Sequence, residues 1–254
     1  MKSESATAAM SPWKIWDKDD AAEYRTYLRA TGELPEMEST KQLVDLLRPL
    51  YRPGMRVLDV GCAAGHYYRG LRRLDEHLDY TGIDATRKYI DFAQKMFKDH
   101  PKARFLQGDI FDLPADLEPF DVVFCCNVLL HLPDFRVPIR NLLQKTGRSC
   151  FIRTLIGDRT LLVKNLVTDT FDDDDEPTHF VYQNIYSFDL LSRFIHEQGT
   201  YELELIEDRF DPNPIKREYD AFKPIQQHAT RIVEGRQVSG SLIFEWNWLK
   251  ITRR

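Results

Sequence analysis

The stretch VLDVGCAAGHY, Val57 to Tyr67, decides how this chain is read. It starts as an apolar strand with an acid, Asp59, near its end. It then passes through the small residues Gly61, Cys62, Ala63, Ala64 and Gly65, and leads into a segment where Tyr67, Leu71, Leu74 and Leu78 recur at helical spacing. A strand, a glycine turn and a helix in that order let a ligand approach bare backbone at the turn.

Outward from this point the same alternation repeats. Arg56–Gly61 reads as the first strand and Asp79–Ala85 (DYTGIDA) as the second, with Thr86 placed to cap a helix carrying Tyr89, Ala93 and Phe97. Ala103–Asp109 is a third strand. A turn-rich piece with Pro114 and Pro119 leads into Asp121–Val128 (DVVFCCNV), a fourth and very apolar one. A helix follows Pro133 and Asp134, and Arg148–Leu155 is a fifth strand. Ser187 opens a helix with Phe188, Leu191 and Ile195 on one side and Gly199 as its stop, and Tyr201–Phe210 is a sixth strand. Near-continuous apolar strands separated by helices predict a parallel sheet covered on both faces. The tail SLIFEWNWLKITRR alternates with period two and has no helix before it, so it enters as a reversed strand. The expected fold is α/β: a doubly wound, mostly parallel seven-stranded sheet with a reversed last strand.

Three segments stand outside this pattern. Residues 1–51 read as an N-terminal helical extension or cap, with Leu43, Leu46, Leu47 and Leu50 on one helix face. The main domain, 52–254, carries two insertions, at about 156–186 and 211–237. Long excursions of this kind are usually functional loops, lids or disordered segments.

Composition narrows the function. The 254 residues suit one elaborated domain, and 43% hydrophobic with 30% charged residues is ordinary for a soluble globular chain. A net charge of -5 without basic clustering argues against a nucleic-acid partner. No run approaches the ~18 apolar residues of a membrane span, and the first residues, MKSESATAAM, lack a secretory h-region. The cysteines Cys62, Cys125, Cys126 and Cys150 show no CxxC spacing and read as buried, reduced thiols of a cytoplasmic protein rather than metal ligands. The run FDDDDEP, Phe171 to Pro177, reads as a solvated acidic loop, because consecutive aspartates share no face. No metal site is expected.

The ligand at the turn follows from what the turn lacks. A dinucleotide site wants GxGxxG, whereas this chain has Gly61, Ala63 and Gly65, with the middle glycine absent and the last one residue early. Asp59-x-Gly61-x-Ala63-x-Gly65 instead resembles motif I of the class I S-adenosylmethionine-dependent methyltransferases, with Ala63 where that pattern has glycine. Asp84, with Ala85, ends the second strand. Asp109 and Ile110 end the third, and FDVVFCCNVLLHLPD, Phe120 to Asp134, is similar to that family's fourth motif. The four segments lie in order across about residues 55–155.

This resemblance implies S-adenosylmethionine as cofactor and S-adenosylhomocysteine as product. It implies that Asp59 serves the cofactor's ammonium, directly or through water or an adjacent amide, while Gly61, Cys62, Ala63 and Gly65 keep the turn low. Asp84 and Ala85 would meet the ribose, Asp109 and Ile110 the adenine, and Asn127 and Val128 the methionine end. His131 is either a general base or a positioning residue. Of Tyr67 and Tyr68, one is expected in the site and the other in the core. Trp13, Trp16 and Tyr24 are candidates for a wall over the site. HFVYQNIYS supplies His179, Tyr182, Asn184 and Tyr186 as candidate acceptor contacts.

The expected activity is methyl transfer to a small-molecule acceptor, at oxygen in preference to nitrogen. A fainter similarity, in YQNIYS and VSGSL, links the chain to methyltransferases of surface polysaccharides or secondary metabolites. An N-methyltransferase and a non-catalytic cofactor-binding scaffold are the alternatives. An aminopropyl transferase lacks support in the acceptor segments, and the Asn-Pro-Pro-Tyr type of motif for base amines is absent.

Overall fold

A computed structural model describes residues 20–209, 211, 231–239 and 242–254. Trp13, Trp16 and most of the 211–237 insertion lie outside the described residues. Two helices come first, α1 (Asp20–Thr31) and α2 (Glu38–Leu47). The alternating part follows: β1 (Arg56–Val60), α3 (His66–Leu71), β2 (Asp79–Asp84), α4 (Arg87–Met96), β3 (Ala103–Gln107), β4 (Phe120–Cys126), α5 (Arg136–Gln144) and β5 (Thr146–Gly157). A 3₁₀ turn, Leu129–His131, follows β4. Beyond β5 the chain forms β6 (Lys164–Leu166), β7 (Phe180–Tyr182), β8 (Tyr186–Ser187), α6 (Phe188–Glu197) and β9 (Tyr201–Glu207). The short strands β10 (Arg231–Val233), β11 (Arg236–Ser239) and β12 (Leu242–Ile243) precede β13 (Trp246–Arg253).

The main sheet runs in the order β3-β2-β1-β4-β5-β13-β9. β13 lies antiparallel between β5 and β9, and the strands from β3 to β5 are parallel. The seven strands with one reversed match the expected fold. β8 adds a short parallel pairing at the end of β5, Ile156 opposite Tyr186. The order turns back between β1 and β4, and there the carboxyl ends of the strands open a crevice.

Alternate residues of β1 feed the two layers. Leu58 and Val60 pack with Ile139, Leu142, Leu191 and Ile195 of α5 and α6. Val57 packs on the other face with Leu43 and Leu47 of α2, Tyr68 of α3 and Ile90 of α4.

Three segments differ most from the sequence pattern. α3 ends at Leu71, because the chain tightens into a turn where the Leu74 amide donates to the Leu71 carbonyl at 2.8 Å. Leu78 is still buried without being helical. The last sheet strand starts only at Trp246, since Leu242–Ile243 belongs to a separate three-stranded sheet with β10 and β11. The first insertion is ordered by the β6–β7 hairpin.

Candidate active site

A cavity of about 370 Å³ opens above the carboxyl ends of β1 to β4. Ala22, Arg25, Thr26 and Arg29 roof it, and their spacing is one face of α1. Met37, Tyr67, Leu132 and Trp246 form the side walls.

The turn after β1 makes the floor. The amides of Gly61 and Cys62 both donate to the Ile83 carbonyl, at 2.7 and 3.1 Å. Gly61 has φ +84, and a Cβ there would stand 2.2 Å from Val128 Cγ2, so only glycine fits. Ala63 also has positive φ, +45, and its amide donates to Asp84 Oδ2 at 2.8 Å. The Thr86 amide donates to Asp84 Oδ1, also at 2.8 Å. Thr86 is the N-cap residue of α4, yet its own side chain makes no capping bond. Two neighbouring turns thus aim the Asp84 carboxylate, one amide on each oxygen.

Of the sequence candidates, Gly61, Ala63, Asp84, Ala85, Asp109, Ile110, Asn127 and Val128 all line the cavity. Asp109 accepts the Phe111 amide at 2.9 Å. Burial raises its pKa against that bond, and Asp112 adds to the rise. Cys62 and Gly65 lie below the wall. Gly65 faces Phe97 and Phe105, where a Cβ would meet Phe97 Cε2 at 2.7 Å.

Asp59 is also beneath the wall rather than in it. It is 1% exposed, accepts the Tyr80 hydroxyl at 2.6 Å on Oδ2, and leaves Oδ1 buried without a hydrogen-bond partner among the described residues. Burial pushes this carboxyl well above the usual range, the Tyr80 bond opposes the shift, and Asp84 adds to it.

Tyr67 lines the cavity, with its hydroxyl 3.0 Å from that of Ser39. Tyr68 is in the core against Tyr80, Phe97 and Phe105. Tyr24 is 55% exposed and does not line the cavity.

His131 lines the cavity, and its Nδ1 is 2.8 Å from the Tyr182 carbonyl oxygen. A carbonyl only accepts, so Nδ1 carries the hydrogen and Nε2 of the neutral ring carries a lone pair. Burial lowers the His131 pKa to about 4, against the bond to Tyr182.

The expected acceptor contacts of HFVYQNIYS take a different place. None of His179, Tyr182, Asn184 or Tyr186 lines the cavity. His179 is on the exposed hairpin, with Nδ1 3.1 Å from Thr168 Oγ1. Asn184 is fully buried. Its Nδ2 donates to the Leu132 carbonyl at 2.8 Å, its amide donates to the Leu130 carbonyl at 2.9 Å, and its Oδ1 accepts the Val163 amide at 3.0 Å. The Tyr186 hydroxyl donates to the Leu129 carbonyl at 3.2 Å. The turn after β4 leaves carbonyls without helical partners, and this segment satisfies them. It is a strap holding the His131 turn.

Two residues outside the sequence candidates also shape the site. His66, the first residue of α3, has a buried Nδ1 without a partner among the described residues. Its pKa is drawn down to about 3 by burial, with the charge of Arg29 adding. Arg153 of β5 is buried behind Asn127, and its Nη1 donates to Asn127 Oδ1. Asp208 pairs with it through two 2.6 Å bonds. Burial would lower the Arg153 pKa, but this ion pair outweighs that and keeps the guanidinium charged. Its centre stands 4.3 Å from the Trp246 ring centroid. The α1 face at positions 22, 25, 26 and 29 was the one available signal for the roof.

Among the described residues, no group of three His, Cys, Asp or Glu side chains could hold a metal ion, and no helix is long and apolar enough to cross a membrane. The acidic run is exposed, with Asp172 Oδ1 accepting the amides of Asp174 and Glu176 at 3.0 Å.

A family model described as a methyltransferase domain matches residues 52–194. The chain belongs to this methyltransferase family. With its four motifs and strand order, it is a class I S-adenosylmethionine-dependent methyltransferase. The methyltransferase is 26% identical over 193 residues to an O-methyltransferase of Pyrenophora dematioidea, covering 73% of this chain and 68% of that protein. It is 28% identical to the putative methyltransferase YqeM of Bacillus subtilis, over 68% of this chain and 69% of that one. Its fold is similar to that of magnesium protoporphyrin IX methyltransferase (ChlM) from Synechocystis PCC 6803, with a TM-score of 0.57, 16% identity, and 97% and 99% of the two chains covered.

Proposed function

We propose that this methyltransferase transfers a methyl group to an oxygen of a small molecule or sugar-containing metabolite, and that His131 takes up the acceptor's proton. Residues at the strand tips would hold the methyl donor. Support for this comes from the Gly61 cradle that a Cβ would fill, from the doubly aimed Asp84 carboxylate, and from the buried Asp59 Oδ1 and His66 Nδ1 that lack partners among the described residues. When bound, S-adenosylmethionine supplies a methyl group on a positively charged sulfur, open to in-line displacement.

In this arrangement Asp84 accepts the ribose hydroxyls, while Asp109 and Ile110 take the adenine by hydrogen bond and packing. Val128 and Asn127 border the methionine end. Asp59 acts from beneath, through a water on its Oδ1, unpartnered among the described residues. Tyr67, Met37, Leu132 and Trp246 then bound the space left for the acceptor.

The observation that carries the oxygen reading is the state of His131. Held by the Tyr182 carbonyl and neutral at physiological pH, it stands in the cavity wall as an imidazole able to take up a proton. A neutral hydroxyl needs such a group more than an amine does, because it is a weak nucleophile until its proton leaves. The name of the fungal O-methyltransferase relative points the same way.

A screen for S-adenosylhomocysteine release across sugar nucleotides, phenols and amines tests the acceptor class, with turnover expected on hydroxyl compounds. On such an acceptor His131→Ala lowers turnover by ~10²-fold with unchanged S-adenosylhomocysteine affinity. Turnover stays flat with pH down to about 5 and falls as pH drops through about 4, where His131 takes a proton. Turnover on amines alone, or a small kinetic loss with weakened cofactor binding, overturns the assignment.

A further inference from the structure

The tip of β4 has a polarity set from behind. Asn127 lies in the cavity wall with φ +60, and its side-chain oxygen accepts from Arg153 Nη1. A guanidinium only donates, so the atom it meets is the amide oxygen, and the orientation of the carboxamide follows from that. The Nδ2 hydrogens lie on the opposite side and have no protein acceptor among the described residues.

Arg153 is itself immobilised. Its ion pair with Asp208 joins side chains only 8% and 2% exposed, and Asp208 Oδ1 also accepts the Trp248 indole N–H at 3.0 Å. The Asn127 amide donates back to the Arg153 carbonyl at 2.9 Å. A rigid series of contacts therefore starts at a buried ion pair and ends in two donor hydrogens at the cavity.

Along the strand tips the polarity changes sign. Asp109 and Asp84 present acceptors at the ends of β3 and β2. On the far side of β1, where the Gly61 position touches Val128, the β4 tip presents a donor. A ligand laid along this row meets acceptors under its hydroxyls and a donor at its other end.

We propose that Arg153 is a positioning residue that holds the Asn127 amide so that Nδ2 donates to the carboxylate of the methyl donor's amino-acid end. This rests on the donor orientation proposed above. The opposite amide orientation would present an oxygen, which suits the donor's ammonium and repels its carboxylate.

The test compares two ligands by calorimetry, S-adenosylhomocysteine and its decarboxylated analogue, which lacks only that carboxylate. Asn127→Asp keeps the shape, removes both N–H groups and adds a like charge. It is expected to weaken S-adenosylhomocysteine by about 10- to 100-fold while leaving the decarboxylated ligand within about threefold of wild type. Arg153→Met, which frees the amide to turn, is expected to show the same selectivity at about 10-fold, and Arg153→Lys to recover part of it. If the Arg153 variants do not fold, the Asn127→Asp comparison decides alone. Equal losses for both ligands, or none for either, overturn the proposal. So does unchanged binding with slower transfer to a hydroxyl acceptor, which would assign Nδ2 to the acceptor instead. Asp84→Ala is the control for the donor orientation. It weakens both ligands alike, and if it weakens neither, that orientation fails whatever Asn127 shows.

Discussion

The floor and the far wall of the cavity are built by opposite means. On the floor, each functional side chain is aimed by backbone amides, one of them always two residues further along the chain. Asp84 is held by the amides of Ala63 and Thr86, and Asp109 by that of Phe111. In the wall, orientation comes from far along the chain: His131 answers to Tyr182, and Asn127 to Arg153 and Asp208. Local aiming produces a compact motif. Remote aiming makes the wall depend on packing across β5, β9 and β13.

It follows that the wall breaks hardest when its remote support goes. Asp208→Ala leaves the buried Arg153 charge unpaired and should cost about 3–5 kcal/mol, read as a shift in the denaturation midpoint. On the floor, Asp84→Ala should act on the ligand more than on the fold, lowering S-adenosylhomocysteine affinity by roughly 10- to 100-fold in calorimetry.

Asp59 sharpens the contrast from beneath. Because burial raises its pKa in the folded chain, the unfolded chain gives up this proton first as pH rises. The carboxyl therefore opposes folding above the ordinary carboxylate range. Asp59→Asn should raise stability at pH 7 by on the order of 1 kcal/mol, about 2–4 °C in a thermal melt, with the gain shrinking toward pH 3–4. The smallest effect belongs to Ala63, an L-residue at φ +45. Ala63→Gly should relieve about 1 kcal/mol or less of backbone strain, seen in the same melt, without loss of cofactor affinity.

The same division explains what could be read from residues alone. The strand–helix alternation, the reversed last strand and most of the floor were legible, since apolar runs and turn residues act locally. The roles of Tyr182, Asn184 and Tyr186 were not: their hydrogen-bonding groups looked free for an acceptor, and only the folded chain shows Asn184 and Tyr186 satisfying carbonyls at 129–132 while the Tyr182 carbonyl accepts from the His131 ring. Arg153, Asp208 and Trp246 carried no signal, because a buried ion pair between β5 and the end of β9 has no spacing rule. His66 sits inside the motif itself, and its importance lies in a nitrogen left without a partner among the described residues.

The place of β13 has a consequence for biosynthesis. It leaves the ribosome after every other strand of the main sheet, yet it belongs inside that sheet. Until it arrives, β5 and β9 are both open edges that invite wrong pairing, and Asp208 lacks its indole partner. A nascent chain halted before Trp246 would hold a finished cavity floor beside an unfinished, adhesive flank.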